Sequence, residues 1–241
     1  MTYCVAARVE SGIVLASDSR TNAGVDQVAT FGKMHLFERP GDRVVVLLTS
    51  GNLATAQSVI GLLRQRADGG LLAAKSLFDA AMLTGDTLRE VISRDAPALA
   101  QDKIDVGCNV LLGGQIAGEA PRLFQVYPQG NFIEATSDTP YLQIGETKYG
   151  KPIIDRVVRH ATPLKDAAKC LLISFDSTMR SNLSVGLPID LLCYEKDALK
   201  VTLRRRFGEN DPYFREISNF WSGGLRRVFA EVPDVSWKEG G

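Results

Sequence analysis

The sequence has 241 residues, 45% of them hydrophobic, and its 28 basic side chains balance 28 acidic ones. Zero net charge argues against a nucleic-acid, anionic-membrane or highly charged partner, while the length suffices for one large domain with a substantial core. The N-terminus lacks the basic and apolar segments of a secretory signal, no apolar run reaches membrane-spanning length, and Cys4, Cys108, Cys170 and Cys193 stand far apart in apolar runs. Buried, reduced thiols in a cytoplasmic protein are therefore expected, not a zinc site or a disulfide framework.

In chain order, residues 2–9 and 12–17 are apolar runs around the turn signal Glu10-Ser11-Gly12 and predict a hairpin. Residues 33–37 and 43–49 predict a second strand pair, joined through Arg39-Pro40-Gly41-Asp42. The segment SGNLATAQSVIGLLRQRAD changes to helical period, with Leu53, Ala56, Ile60 and Leu63 on one face. A second helix is expected from Ala73 to about Arg94, stopped by Asp95-Ala96-Pro97. VGCNVLLGGQI, RLFQVYP and NFIEAT return to strand. Helices over residues 149–160 and 164–179 follow, then the strands IDLLCYEKD and LKVTLRRRF. Arg204-Arg205-Arg206 reads as a solvated strand end. No linker or internal repeat divides this order. Tight turns join antiparallel strands and paired helices cover sheet faces, so the expectation is one α+β domain of two stacked antiparallel sheets with helix pairs outside.

Familiar catalytic patterns are few. His35 alternates with apolar neighbours and His160 closes a helix, so both read as structural, and HExxH, GxSxG and SxxK are absent. Gly145, Gly150 and Lys151 in IGETKYGKP imitate a phosphate loop, and CLLISFD imitates an acid-ended strand. Pro152, however, occupies the position where a hydroxyl must ligate magnesium.

The start of the chain offers other chemistry. An N-terminal threonine combines nucleophile and base, since its own α-amine can take the hydroxyl proton. That amine titrates intrinsically at roughly 7.7–8.0, so a modest downward shift leaves it neutral near pH 7. A nearby lysine supplies the shift by repulsion, and a carboxylate holds the lysine in place. Asp18, at the end of the second strand, and Lys33, at the start of the third, suit those roles. In LTSGNLATAQ a strand passes through Ser50-Gly51 into a helix, which makes the Gly51 amide a candidate oxyanion donor.

Together, TYCVAARVESGIVLASDSRTNAG, FGKMHLF and LLTSGNLATAQ resemble the proteasome β-subunit superfamily of N-terminal-nucleophile hydrolases, most of all its bacterial Anbu (ancestral β-subunit) branch. The likeness is strongest over residues 2–57, and the order of elements carries it to about residue 206. It implies a four-layer αββα sandwich over residues 1–206. Thr2 would be nucleophile, Asp18 and Lys33 the charged pair, and Gly51 the oxyanion amide, with Thr21, Asn22 and Thr49 lining the substrate pocket. In RSNLSVG, Ser184 matches the serine of an Asp-x-x-Ser-Gly pattern while Ser181 replaces its aspartate. Glu146 stands where these subunits carry a serine after glycine.

The resemblance implies self-association into rings or open helical assemblies, a peptide or amide substrate, and no cofactor, metal, nucleic acid or membrane. Exposure of Thr2 would require removal of Met1 by a methionine aminopeptidase. Residues 207–241 form an extra segment in which Phe214, Ile217, Trp221, Leu225 and Val228 recur at helical spacing. That stripe would cover the domain's own core or a neighbouring subunit. The leading expectation is a threonine peptidase or amidohydrolase. The alternative is a catalytically weak or inactive subunit that builds a scaffold or compartment.

Overall fold

The computed structural model describes residues 2–22 and 28–235. The chain runs β1 (Tyr3–Val9), β2 (Gly12–Asp18), β3 (Arg20–Asn22), β4 (Val28–Thr30), β5 (Met34–Arg39), β6 (Arg43–Gly51), α1 (Leu53–Gln65) and α2 (Leu77–Leu99). It continues as β7 (Cys108–Ile116), β8 (Arg122–Val126), β9 (Phe132–Glu134), β10 (Tyr141–Gly145), α3 (Lys151–Val157) and α4 (Leu164–Ser181). β11 (Ile189–Glu195), β12 (Leu203–Phe207) and α5 (Pro212–Glu231) complete the order. Two five-stranded antiparallel sheets have the orders β10-β1-β2-β11-β12 and β5-β6-β7-β8-β9, and β3 pairs with β4 beside them.

The period of two along each strand builds the layers. In β1, Tyr3, Val5, Ala7 and Val9 pack with Ala167, Leu171 and Phe175 of α4. Cys4 and Ala6 point the other way and meet Val44, Val46 and Leu48 of β6. Val45 and Leu47 of β6 face outward again, onto Val59 and Leu63 of α1 and Leu88 of α2. The result is helix pair, sheet, sheet, helix pair, as expected. β1, β2 and β6 are covered on both faces, so their sequences are nearly continuous apolar runs instead of alternating ones.

Side-chain caps set three helix starts. Asn52 accepts from the Thr55 amide at 3.1 Å, Ser76 from Asp79 at 3.0 Å and Asp211 from Phe214 at 3.0 Å. Such caps stabilise a helix by about 1 kcal/mol each.

Several boundaries differ from expectation. α2 starts at Leu77, behind its Ser76 cap, and continues through Pro97 to Leu99. Pro97 removes only its own amide, and Ser93, whose carbonyl loses that donor, is exposed to solvent. α3 is one short helix over Lys151–Val157, with Pro152 in its first turn and Val158 already extended. The last expected strand begins at Leu203, after left-handed backbone at Asp197 and Leu199. Periodicity singled out neither β10 nor the β3–β4 pair.

The C-terminal stripe divides along its length. Phe214 is buried 6.2 Å from the Phe207 ring, and Ile217 packs on the same core. Farther along α5, Phe220, Leu225, Val228 and Phe229 are exposed. Met1 and residues 236–241, the end of the extra segment, lie outside the described residues.

Candidate active site

Thr2 lies half-buried just before β1 and is held from both sides. Its carbonyl accepts the Glu146 amide at 2.7 Å. The next amide, that of Tyr3, donates to Asp18 Oδ1 at 3.1 Å. Tyr3 is itself an anchor. Its hydroxyl accepts from Gln143 Nε2 at 2.7 Å, lies 3.0 Å from Ser174 Oγ, and its ring packs at a tilt against Phe175, with centroids 4.6 Å apart. Burial pushes its phenol far up, so it stays neutral. The backbone at Thr2 and Tyr3 is thus clamped between the end of β2 and the residue that follows β10.

Gly145 makes the clamp possible. It sits at φ 83°, and a Cβ there would lie 1.9 Å from the Thr2 carbonyl oxygen. Only an absent side chain lets the end of β10 approach closely enough for the Glu146 amide to reach Thr2.

Asp18 ends β2 and Lys33 precedes β5, and the two converge next to the Tyr3 amide, one residue from Thr2. Lys33 Nζ donates to Asp18 Oδ1 at 2.7 Å and to the Arg20 carbonyl at 2.6 Å. The Lys33 and Asp18 side chains are 6% and 0% exposed. Burial raises the Asp18 carboxyl above its ordinary range, against the pull of the Lys33 ammonium and the Tyr3 amide. The Thr49 amide donates to the Lys33 carbonyl at 3.0 Å, which ties the start of β5 to β6.

Gly51 closes β6 at φ 125°, and a Cβ there would strike the Gly107 carbonyl oxygen at 2.3 Å. The chain turns directly into the capped N-terminus of α1, where amides and helix dipole favour negative charge. Glu146 is buried, and its carboxylate accepts from Asn182 Nδ2 at 2.9 Å. Asn182 Oδ1 in turn accepts the Ser184 amide at 2.9 Å. Ser184 is thus fixed by its backbone, while Ser181, the last residue of α4, is exposed. Asn182, absent from the sequence-derived candidates, is the side chain that meets Glu146.

A cleft of about 310 Å³ opens between β5 and α1. Lys33, His35, Thr49, Gln57 and Arg64 supply its polar lining. His35 is pushed down to about 4, first by burial and then by the Arg64 and Arg204 guanidinium groups, so its imidazole is neutral near pH 7. Thr49 lines this cleft, while Thr21 and Asn22 belong to β3. The Thr21 hydroxyl is buried without a hydrogen-bond partner among the described residues.

The phosphate-loop imitation dissolves in three dimensions. Gly145 abuts Thr2, a Cβ on Gly150 would lie 2.3 Å from the Tyr3 hydroxyl, and Lys151 binds Asp155 and Tyr141. CLLISFD lies inside α4, where Asp176 accepts from Arg180 at 3.1 Å. Among the described residues, no group of three or more His, Cys, Asp or Glu is placed to hold a metal ion, and no helix is long and apolar enough to cross a membrane.

Comparisons with known proteins agree with the fold. The family model "Proteasome subunit" matches residues 2–189. A search of curated proteins gave no match. Among solved structures, Anbu (ancestral beta-subunit) from Yersinia bercovieri is 53% identical, covers 98% of this chain and 100% of its own, and superposes with TM-score 0.93. The helical assembly of the Anbu complex from Pseudomonas aeruginosa is 52% identical, with 98% of each chain covered and TM-score 0.93. Anbu from Hyphomicrobium sp. strain MC1 is 49% identical over 98% of this chain and 100% of its own, with TM-score 0.90.

Proposed function

The chain belongs to the proteasome-subunit family, in its Anbu branch, and on that footing we propose that it is a self-assembling hydrolase that cleaves peptide or amide bonds with Thr2 as nucleophile. The observation that carries this reading is the buried Lys33–Asp18 pair, whose Oδ1 also receives the amide next to Thr2. Removal of Met1 frees the Thr2 amine. The Thr2 hydroxyl then adds to the substrate carbonyl carbon as its proton passes to that amine. The Lys33 charge keeps the amine neutral beforehand, and Asp18 fixes the lysine. The Gly51 amide stabilises the oxyanion of the tetrahedral intermediate. Its collapse expels the leaving amine, which takes the proton from the Thr2 ammonium. Water then hydrolyses the Thr2 ester and regenerates the enzyme. Glu146, Asn182 and Ser184 support the wall against which the Thr2 backbone is held.

Self-association is part of the same reading. The exposed apolar half of α5 suits burial against another copy, and the relative from Pseudomonas aeruginosa is described as a helical assembly. Residues 1–206 act as the hydrolase domain and residues 207–241 as the extension that links subunits, acting in the cytoplasm without cofactor or metal.

A second reading, a weak or inactive scaffold subunit, draws on one observation. A glutamate with an asparagine partner, Glu146–Asn182, stands near Thr2, and Ser181 is turned to solvent. Intact mass before and after a peptide epoxyketone, which bonds to both the hydroxyl and the amine of an N-terminal threonine, decides between them. Loss of Met1 and one adduct per chain, absent in Thr2→Ala, is expected. Retained Met1, or a freed Thr2 that stays unlabelled across a panel of probes, supports the scaffold.

A further inference from the structure

The cleft between β5 and α1 shares Lys33 with the charged pair that also binds the Tyr3 amide, so it adjoins the groups on which the proposed reaction relies. Its charge is lopsided. His35, Gln57 and Arg64 contribute polar groups, and among the described residues no aspartate or glutamate lines it. Arg64 has no ion-pair partner among the described residues, whereas Arg66, two residues on, is paired with Glu90 at 2.7 Å. Arg204 approaches from β12, also without an ion-pair partner among the described residues, and acts with Arg64 on His35.

The helix geometry aims this charge into the cleft. Leu53, Gln57, Ile60 and Arg64 follow one face of α1 at intervals of three and four residues. Helical side chains lean toward the N-terminus, so the guanidinium of Arg64 reaches back over the preceding turn. Gly61 occupies that turn, and a Cβ there would find open space. Leu53, Ile60 and Phe31 form apolar walls that suit the methylenes of a side chain, with the cation at the far end.

We propose that this cleft selects an acidic residue, above all glutamate, on the acyl side of the bond that Thr2 attacks, with Arg64 and His35 as the specificity-determining residues. The proposal rests on the hydrolase reading. The glutamate carboxylate would accept hydrogen bonds from the Arg64 guanidinium and from the neutral His35 imidazole N–H. A lysine there would face uncompensated positive charge, and a glutamine would lose the charge-assisted bond.

Two measurements separate this proposal from the reading beneath it. One is the labelling rate of the full chain, freed of Met1, by peptide epoxyketones that differ only in Glu, Gln, Lys or Phe at the reacting residue. The other is the affinity of matching non-reactive fluorescent peptides for Thr2→Ala. Glutamate is expected to exceed glutamine at least about tenfold in both, as a charge-assisted hydrogen bond provides. Arg64→Gln should erase that preference and Arg64→Glu should turn it toward lysine, with melting temperatures checked to exclude misfolding. Equal labelling across the series overturns the specificity and leaves the hydrolase reading intact. Preferential binding of the glutamate peptide without any labelling keeps the specificity and defeats the hydrolase. Neither labelling nor selective binding overturns both.

Discussion

Lys33 and Asp18 meet at 2.7 Å inside the protein, so the lysine cation is fixed where water screens it little. Lys33→Ala removes that cation, and hydrolysis is expected to fall at least about 100-fold while light scattering shows the assembly unchanged. The stability cost has a direction in pH. The stranded Asp18 carboxyl, already raised by burial, holds its proton more firmly in the folded than in the unfolded chain. Above the unfolded value the folded variant therefore loses ground as pH rises. Calorimetry should find a larger deficit against wild type at pH 8 than at pH 5.

Gly145→Ala tests the clamp on Thr2. The new Cβ would fall 1.9 Å from the Thr2 carbonyl oxygen in left-handed backbone, so β10 must draw away. A folded protein destabilised by about 1–3 kcal/mol is expected, with the labelling rate falling much further than stability. Gly118→Ala, at φ 85° with open space around it, serves as the control for backbone strain alone.

His35 predicts an acid limb of stability. Its imidazole binds a proton at about pH 4 in the folded chain against about 6.5 when unfolded. The unfolded chain thus carries the extra proton between those values, and stability rises with pH across that window. Acidification from 6.5 to 4 removes up to about 3 kcal/mol. Urea titrations of wild type and His35→Asn should diverge over this range, with wild type the more pH-dependent.

The two halves of α5 should separate by mutation. Phe214→Ala empties a buried site and is expected to cost about 3–5 kcal/mol, read as a fall in melting temperature. Leu225→Glu with Val228→Glu alters only exposed positions. It should leave the subunit's stability within about 0.5 kcal/mol and weaken self-association, measured by sedimentation velocity.

The meeting of Asp18 and Lys33 was legible in the sequence because each is a charged residue at the end of an otherwise apolar strand. The layers were legible too, since β1, β2 and β6 had to be covered on both sides. β10 escaped notice because its five residues follow Ser/Thr/Asp-rich turn chemistry and end in the Gly145 of the phosphate-loop imitation. Asn182 escaped because its partner is 36 residues away and its spacing matches no motif. For His35, alternation on a strand cannot tell which face meets a helix across an open cleft. Only with α1 placed beside β5 do His35 and Arg64 become neighbours.

The strand that follows Thr2 lies inside its sheet, with β2 on one side and β10 on the other. During synthesis β1 emerges first and can pair with β2 at once, but β10 follows more than 130 residues later. The Glu146 amide that holds the Thr2 carbonyl comes later still. Every nascent fragment ending before that point carries the threonine without its clamp. Long-range pairing of this kind forms slowly, after most of the chain has been made. The fold thereby acts as a timing device: the backbone at Thr2 gains its last partner only when about three fifths of the 241 residues, up to Glu146, have been made.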